Sequence, residues 1–265
     1  MNIVVCVKQV MDPDTPISAF VIDEVEKKVV PAQGIPPVVN GYCENAVEAA
    51  LQIKAQEGGE GTITILSLGT DFVMDVMKKP LSMGADKMIL IQDEHVAELD
   101  AAGIVNVLSA AINKIPDVDL VLCGQQASDW DNAHIPMGIA ENLNLPCITS
   151  ALNIEHTGDK LLVQSALPDG YQTLEAPVQS LITVNNLFGE PRYPTLKGIM
   201  QASRKSPEIW SIADLGVSSS ELEPFLILSE LKIPVSEGNC EIIEGEDDAD
   251  PGRLLALKLR EEKII

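Results

Sequence analysis

Apolar residues follow two alternating rhythms along the chain. Short continuous runs of aliphatic and β-branched residues occur at Asn2–Val7, Thr62–Leu68, Lys87–Ile91 and Asp119–Cys123. Runs of this length and type read as strands covered on both faces, as in a parallel sheet. Between them apolar residues recur at helical spacing. Glu44–Gln56 carries Ala46, Val47, Ala50, Leu51 and Ile53, and Gly58 and Gly59 end it. Phe72–Met83, Ala101–Ile115 and Ala133–Leu143 are the other predicted helices, and Pro80 inside the first of these predicts a kink or an early stop. Strands alternating with helices across short polar turns predict an α/β domain with a mostly parallel sheet flanked by helices.

From Ala151 the rhythm changes. Ile154–Glu155, Leu161–Ser165, Tyr171–Glu175 and Gln179–Val184 are short strands separated by Gly-Asp and Pro-Asp-Gly turns, which predicts an antiparallel meander that widens the sheet. Beyond Asn185 comes a Pro-rich basic interval with Arg192, Lys197, Arg204 and Lys205. Ser218–Asp250 is irregular and acidic, and Gly252–Ile265 closes the chain as a helix with Leu254, Leu255, Leu257 and Leu259. The expected organisation is one α/β domain over residues 1–210, followed by an extended C-terminal arm over 211–265. An arm with few core partners of its own is expected to dock on another subunit.

Composition narrows the function. Hydrophobic residues make up 46% of the 265 positions, enough for a core, whereas aromatics are only 3%. A nucleotide site that is a cage of stacked rings is therefore excluded, and backbone amides and small polar groups are the expected binding tools. With 18 basic and 40 acidic side chains the net charge is −22, so nucleic acid and anionic membranes are poor partners. Nowhere do about 18 apolar residues run together, as a spanning helix requires. The start of the chain is strand-like and has no basic n-region followed by a cleavage site, so no signal peptide is expected there. Five widely spaced cysteines without a C-x-x-C pair suggest free thiols in a reducing cytoplasm, with neither zinc nor a redox dithiol.

In parallel sheets ligands bind beyond the carboxyl ends of the strands, beside helix N-termini. Three segments qualify: Cys6–Gln9, Leu68–Thr70 and Gly124–Ile135, of which the last is the richest. Gly124 permits close backbone approach, Gln125, Gln126 and Ser128 can read hydroxyls and amides, and the following helix offers free N–H groups to a phosphate. Asp129 and Asp131 oppose an anion, so the segment is either a nucleotide site or a capped turn. Neither G-x-G-x-x-G nor a P-loop is present. His95, His134 and His156 lack metal-ligand spacing, and only His134, in the first turn after the loop, bears on a site. No cysteine has a basic partner implied nearby, so no side-chain catalysis is expected.

Several segments together resemble one family, the electron transfer flavoprotein beta subunits. They are VVCVKQV at the start, VVNGYCENAVEAALQIK, LSMGADKMILI, GQQASDWDN, GEPRYPTLKGIMQASRK over Gly189–Lys205, and LKLREEKII at the end. The resemblance implies a Rossmann-like, adenine-nucleotide-binding fold in a heterodimer whose alpha subunit holds most of the main FAD. Electrons would pass between flavin-dependent dehydrogenases, such as acyl-CoA dehydrogenases, and an acceptor. This chain would supply a second site filled by AMP or, in bifurcating members, by a second FAD that takes hydride from NADH. Carried over position by position, that site comprises Cys6, Asn40, Gly41, Tyr42, Cys43, Leu68, Gly124, Gln125, Gln126, Ala127, Ser128, Asp129, Trp130, Asp131, Asn132, Ala133, His134 and Ile135. Leu196, in an exposed basic loop, would anchor the dehydrogenase, and no residue would be catalytic in its own right. Trp130 departs from the family pattern, which commonly has Asp or Gly there. A reading of another class is a standalone adenine-nucleotide-binding stress or signalling domain on the same kind of sheet. It offers no reason for Gly189–Lys205 or for the arm. A hydrolase lacks a nucleophile elbow or a metal cluster.

Overall fold

β1 (Asn2–Cys6) lies at the centre of a nine-stranded sheet. The computed structural model describes residues 1–234, 238, 240–247 and 249–265. The irregular acidic stretch expected over Ser218–Asp250 falls partly on positions 235–237, 239 and 248, outside the described residues. The remaining strands are β2 (Thr62–Gly69), β3 (Lys87–Gln92), β4 (Leu120–Gly124), β5 (Cys147–His156), β6 (Lys160–Leu167), β7 (Gly170–Pro177), β8 (Ser180–Val184) and β9 (Glu208–Trp210). Their order across the sheet is β7-β6-β5-β8-β4-β1-β2-β3-β9. From β1 the chain passes to β2 and β3 on one side, then returns to place β4 on the other side of β1. That reversal opens a crevice at the carboxyl ends of β1 and β4.

Alternate residues of the central strands feed two cores. Ile3, Val5, Ile63, Ile65, Leu120 and Leu122 face α1 (Gly41–Gln56), α2 (Met74–Met77) and α3 (Lys79–Met83). Val4, Leu66, Val121 and Cys123 face α4 (Ala101–Lys114) and α5 (His134–Asn142). Each fully buried aliphatic side chain contributes about 1.5–3 kcal/mol, so burial on both faces holds the parallel strands together. The Pro80 interruption divides the expected helix into α2 and α3, with the proline in the first turn of α3, where no N–H is required. Helix α1 begins three residues before Glu44, because the Asn40 carbonyl accepts the first bonds, from Cys43 N at 2.9 Å and Glu44 N at 3.1 Å.

The meander is shorter than its four predicted strands. β5, β6 and β7 are antiparallel neighbours, but β8 returns to lie parallel between β4 and β5. The reason is burial: all five residues of Ser180–Val184 are covered, which an edge strand could not achieve. Compact packing also continues past residue 210. β9 adds a parallel edge beside β3, Ile212 is buried, and α7 (Ser219–Leu222) lies on α4. Lys114 places its Nζ 4.4 Å from the centre of the Trp210 ring. Met1–Glu230 therefore forms the first compact unit and Leu231–Ile265 the second. The second unit contains α8 (Asp250–Glu261), which starts before and ends short of the predicted Gly252–Ile265, and Lys258 pairs there with Glu241 at 2.6 Å. Among the described residues no helix is long and apolar enough to cross a membrane.

Candidate functional site

A short antiparallel ribbon, Gln9–Val10 against Val38–Val39, brings Asn40 back beside the end of β1, where its N–H donates to the Lys8 carbonyl at 2.9 Å. Asn40 is 1% exposed and fully engaged. Its Nδ2 donates to the Gln126 carbonyl at 2.8 Å and to Cys43 Sγ at 3.2 Å, and its Oδ1 accepts from Ser128 N at 3.2 Å. One side chain thus ties the start of α1 to the loop after β4. Gly124 makes the approach possible: a Cβ there would stand 2.7 Å from the Tyr42 carbonyl carbon and 2.9 Å from Cys43 N. Both contacts are backbone, so they cannot give way by rotation of a side chain.

The loop itself is held from several directions. Lys8 pairs with Asp129 at 2.6 Å, and Gln126 Nε2 donates to Asp131 Oδ1 at 2.9 Å. The two carboxylates that opposed an anion in the sequence are therefore engaged by partners, one of them cationic. Gln125 Oε1 accepts from Ser150 Oγ at 2.6 Å and from Asn185 Nδ2 at 2.9 Å, which ties the loop to β5 and to the end of β8. Asp131 and Ala133 both adopt left-handed backbone, at φ 50° and 53°. This turn delivers the chain to His134, the first residue of α5, whose N-terminus receives no side-chain cap. Uncapped N–H groups and the helix dipole make such a terminus receptive to an anion. Asn132 and His134 are exposed, and Trp130 projects a ring that is 54% exposed.

Cys6 ends β1 at the crevice beside β4, and Leu68 stands on β2, across β1 from β4; both pack against the second core. The Cys43 side chain packs in the first core, where burial pushes its thiol up despite hydrogen bonds from Asn40 and from the Lys8 and Gly124 backbone. Lys8 lies within the candidate segment Cys6–Gln9 but is not singled out there as a site residue, and Ser150 and Asn185, which also build the site, have no local signal.

The Leu196 segment departs from expectation. Leu196 opens a helix, α6 (Leu196–Arg204), rather than sitting in a loop, and Thr195 caps it by accepting from Gly198 N at 3.0 Å. The preceding stretch is anchored to α1. Glu48, 5% exposed, takes Arg192 Nε and Nη2 at 2.8 Å each and the Arg192 backbone N–H at 3.1 Å. Asn45 Nδ2 donates to the Gly189 carbonyl at 2.7 Å. The basic interval is thus less available than its composition suggests, because Arg192 serves Glu48 and Lys205 donates to the Ala85 carbonyl at 2.8 Å. Lys197 and Arg204 remain exposed, beside Leu196 at 82% exposure. Helix α6 sits on α3 so closely that a Cβ on Gly198 would lie 2.3 Å from the Ser82 carbonyl oxygen. Gly198→Ala is expected to loosen α6 at a cost of about 1–3 kcal/mol. Limited proteolysis should then cut within 189–205 in the variant first, and an unchanged digestion pattern would contradict this packing.

Comparison with known proteins fits this arrangement. The family model for the electron transfer flavoprotein domain matches residues 28–215. An electron transfer flavoprotein subunit beta of Thermoanaerobacterium thermosaccharolyticum is 38% identical over 84% of this chain and 83% of its own. The subunit of the same name in Megasphaera elsdenii is 36% identical over the whole of both chains. A caffeyl-CoA reductase-Etf complex subunit of Acetobacterium woodii is 32% identical, again over the whole of both. An α/β sheet of this topology, a clamped loop at its switch point and relatives matched along most or all of their length lead to one conclusion: the chain belongs to the electron transfer flavoprotein family, among its beta subunits.

Proposed function

We propose that this chain pairs with an electron transfer flavoprotein alpha subunit in the cytoplasm and carries electrons between flavin-dependent dehydrogenases and an acceptor, with AMP in the β1/β4 crevice. The observation that carries the nucleotide assignment is the Asn40 clamp on Gln126 and Ser128, which holds the loop open beside the uncapped start of α5. The phosphate would be held by backbone N–H groups around Ala133–Ile135, and Lys8 lessens the repulsion from Asp129. The FAD, mostly on the alpha subunit, supplies the redox chemistry, and this chain contributes binding, orientation and docking. The part of the expected 211–265 arm beyond Glu230, including α8 with its exposed Leu255 and Leu257, would dock on the alpha subunit.

A second reading fills the same crevice with another FAD that accepts hydride from NADH. The exposed Trp130 ring favours it, since a flat apolar surface at the rim could stack on a fused ring system. Extraction of bound nucleotide from the purified heterodimer separates the two. One FAD and one AMP support the simple carrier, and two FAD per heterodimer sink it. A colourless homo-oligomer that binds ATP would overturn both.

Leu196 is the proposed anchor for the dehydrogenase, together with Ile199 and Met200 on the next turn of α6, all exposed. Leu196→Ala is expected to slow electron transfer from the dehydrogenase roughly tenfold, the range of a single hot-spot residue, without loss of flavin. Steady-state transfer rates with flavin absorbance check this. Flavin release from the variant would place Leu196 at the cofactor instead.

A further inference from the structure

Strand register joins two cysteines that lie far apart in sequence. β1 and β4 are parallel neighbours with Cys6 directly opposite Cys123. Both side chains project on the same face, since Val4 and Cys6 from β1 and Val121 and Cys123 from β4 all pack in the second core. Neighbouring strands lie about 4.8 Å apart. That separation falls inside the range of about 4.4–6.8 Å between Cα atoms over which a disulfide closes. Both cysteines are free; Cys6 is half-buried at the crevice and Cys123, at 3% exposure, lies beside it. A hydrogen bond with Cys6 and burial push the Cys123 thiol well above its usual range, so the half-buried Cys6, and not Cys123, meets the peroxide first. Cys43 packs in the other core, although its thiol lies near enough to interact with both Cys6 and Cys123, and among the described residues no three His, Cys, Asp or Glu side chains gather as a metal site.

We propose that Cys6 and Cys123 form a redox-active dithiol at the crevice, which a hydroperoxide converts to an intramolecular disulfide. Cys6 gives up its thiol proton as its sulfur attacks the peroxide oxygen, the O–O bond breaks, and the leaving oxygen takes that proton and departs as alcohol or water, with Cys6 now a sulfenic acid. The Cys123 sulfur then attacks Cys6, the S–S bond forms, and hydroxide departs with the Cys123 proton as water. Two electrons pass from the thiol pair to the peroxide. A nucleotide in the crevice shields Cys6 and keeps the pair reduced, a clause that rests on the nucleotide site proposed above.

The test uses the full chain with the exposed Cys147 and Cys240 replaced by serine. After treatment with hydrogen peroxide, intact-mass measurement should show loss of two hydrogens, restored by dithiothreitol. Peptide mapping without reduction should place the link between Cys6 and Cys123. Cys6→Ser should abolish the mass loss, and Cys123→Ser should leave a Cys6 sulfenic acid that dimedone traps. A link through Cys43, or Cys6 oxidised to sulfinic acid beside a free Cys123, would overturn the proposal. So would an unchanged mass at a peroxide concentration that oxidises Cys6 in the Cys123→Ser variant. Saturating AMP should slow closure about tenfold, with binding followed independently by Trp130 fluorescence. Closure at an unchanged rate with AMP bound would support the dithiol and move the nucleotide off Cys6. Absence of closure from the AMP-free protein, where AMP nevertheless binds, would overturn the dithiol and leave the nucleotide site standing.

Discussion

Gly124→Ala is expected to lower the affinity for AMP about 100-fold and to reduce the melting temperature by several degrees. The added methyl would meet the Tyr42 carbonyl carbon at 2.7 Å, Tyr42 Cβ at 2.8 Å and Cys43 N at 2.9 Å. Two of these belong to the backbone at the start of α1, so either that helix or the end of β4 must shift. Overpacking of this kind costs about 1–3 kcal/mol, and at about 2–4 °C per kcal/mol for a domain of this size the loss is readily measured. The larger consequence is for binding. Displacing Asn40 from Gln126 and Ser128 removes the only side chain seen to join both of those residues to α1 among the described residues, and it leaves buried polar groups unpaired at about 1–3 kcal/mol each. Titration with AMP and thermal denaturation check both effects. Gly252→Ala, whose Cβ would meet nothing within 4 Å, serves as the control. Wild-type affinity in Gly124→Ala would show that the crevice does not depend on this contact.

Arg192→Ala is expected to destabilise the protein by about 2–3 kcal/mol at neutral pH and to free the segment before α6. Breaking a buried ion pair costs about 3–5 kcal/mol because the remaining charge is left buried without compensation. The lower figure is used because the Arg192 side chain is 45% exposed, against 7% for Glu48. The pH dependence follows from Glu48. Burial pushes its carboxyl up, but the side-chain and backbone hydrogen bonds from Arg192, with help from Gln52, outweigh burial and hold it below the ordinary range. A depressed carboxyl gives stability that is present above its unfolded pKa, about 4.3, and is lost as the pH falls through the folded value. Without Arg192 only the Gln52 hydrogen bond opposes burial, and the Glu48 pKa rises. The variant then takes up a proton on acidification and escapes the unpaired charge. The gap in melting temperature between wild type and variant should accordingly be wide at pH 7 and narrow near pH 4.5. An equal gap at both pH values would mean that the pair contributes through packing alone.

Much of the fold was legible because the central strands and helices are defined by their own patterns. Asn2–Val7, Thr62–Leu68, Lys87–Ile91 and Asp119–Cys123 are apolar at most of the positions that a doubly covered strand buries, Thr64 and Ser67 being the polar exceptions, and each is a strand of the main sheet within a residue or two. Pro80 stops a helix through its own geometry, and it does so here. The partner of a strand is not a local property. The run ending at Val184 has the same turn-bounded pattern whether it extends a meander or inserts between β4 and β5, and only the competition for covered positions in the sheet decides it.

The site divides along the same line. The loop from Gly124 to Ile135 announces itself by its place after a buried strand and before a helix, as does the candidate role of Cys6. By itself the sequence determined the α/β class, the family and which loops stand at the carboxyl ends of the strands, because periodicity, turn residues and motifs act over a few neighbours. Tertiary structure alone decided that Asn40 clamps Gln126 and Ser128, that Arg192 is claimed by Glu48, and that Cys6 faces Cys123. Each of these pairs residues dozens of positions apart, and their separation in space is set by strand order and register, which arise only when the whole sheet is assembled.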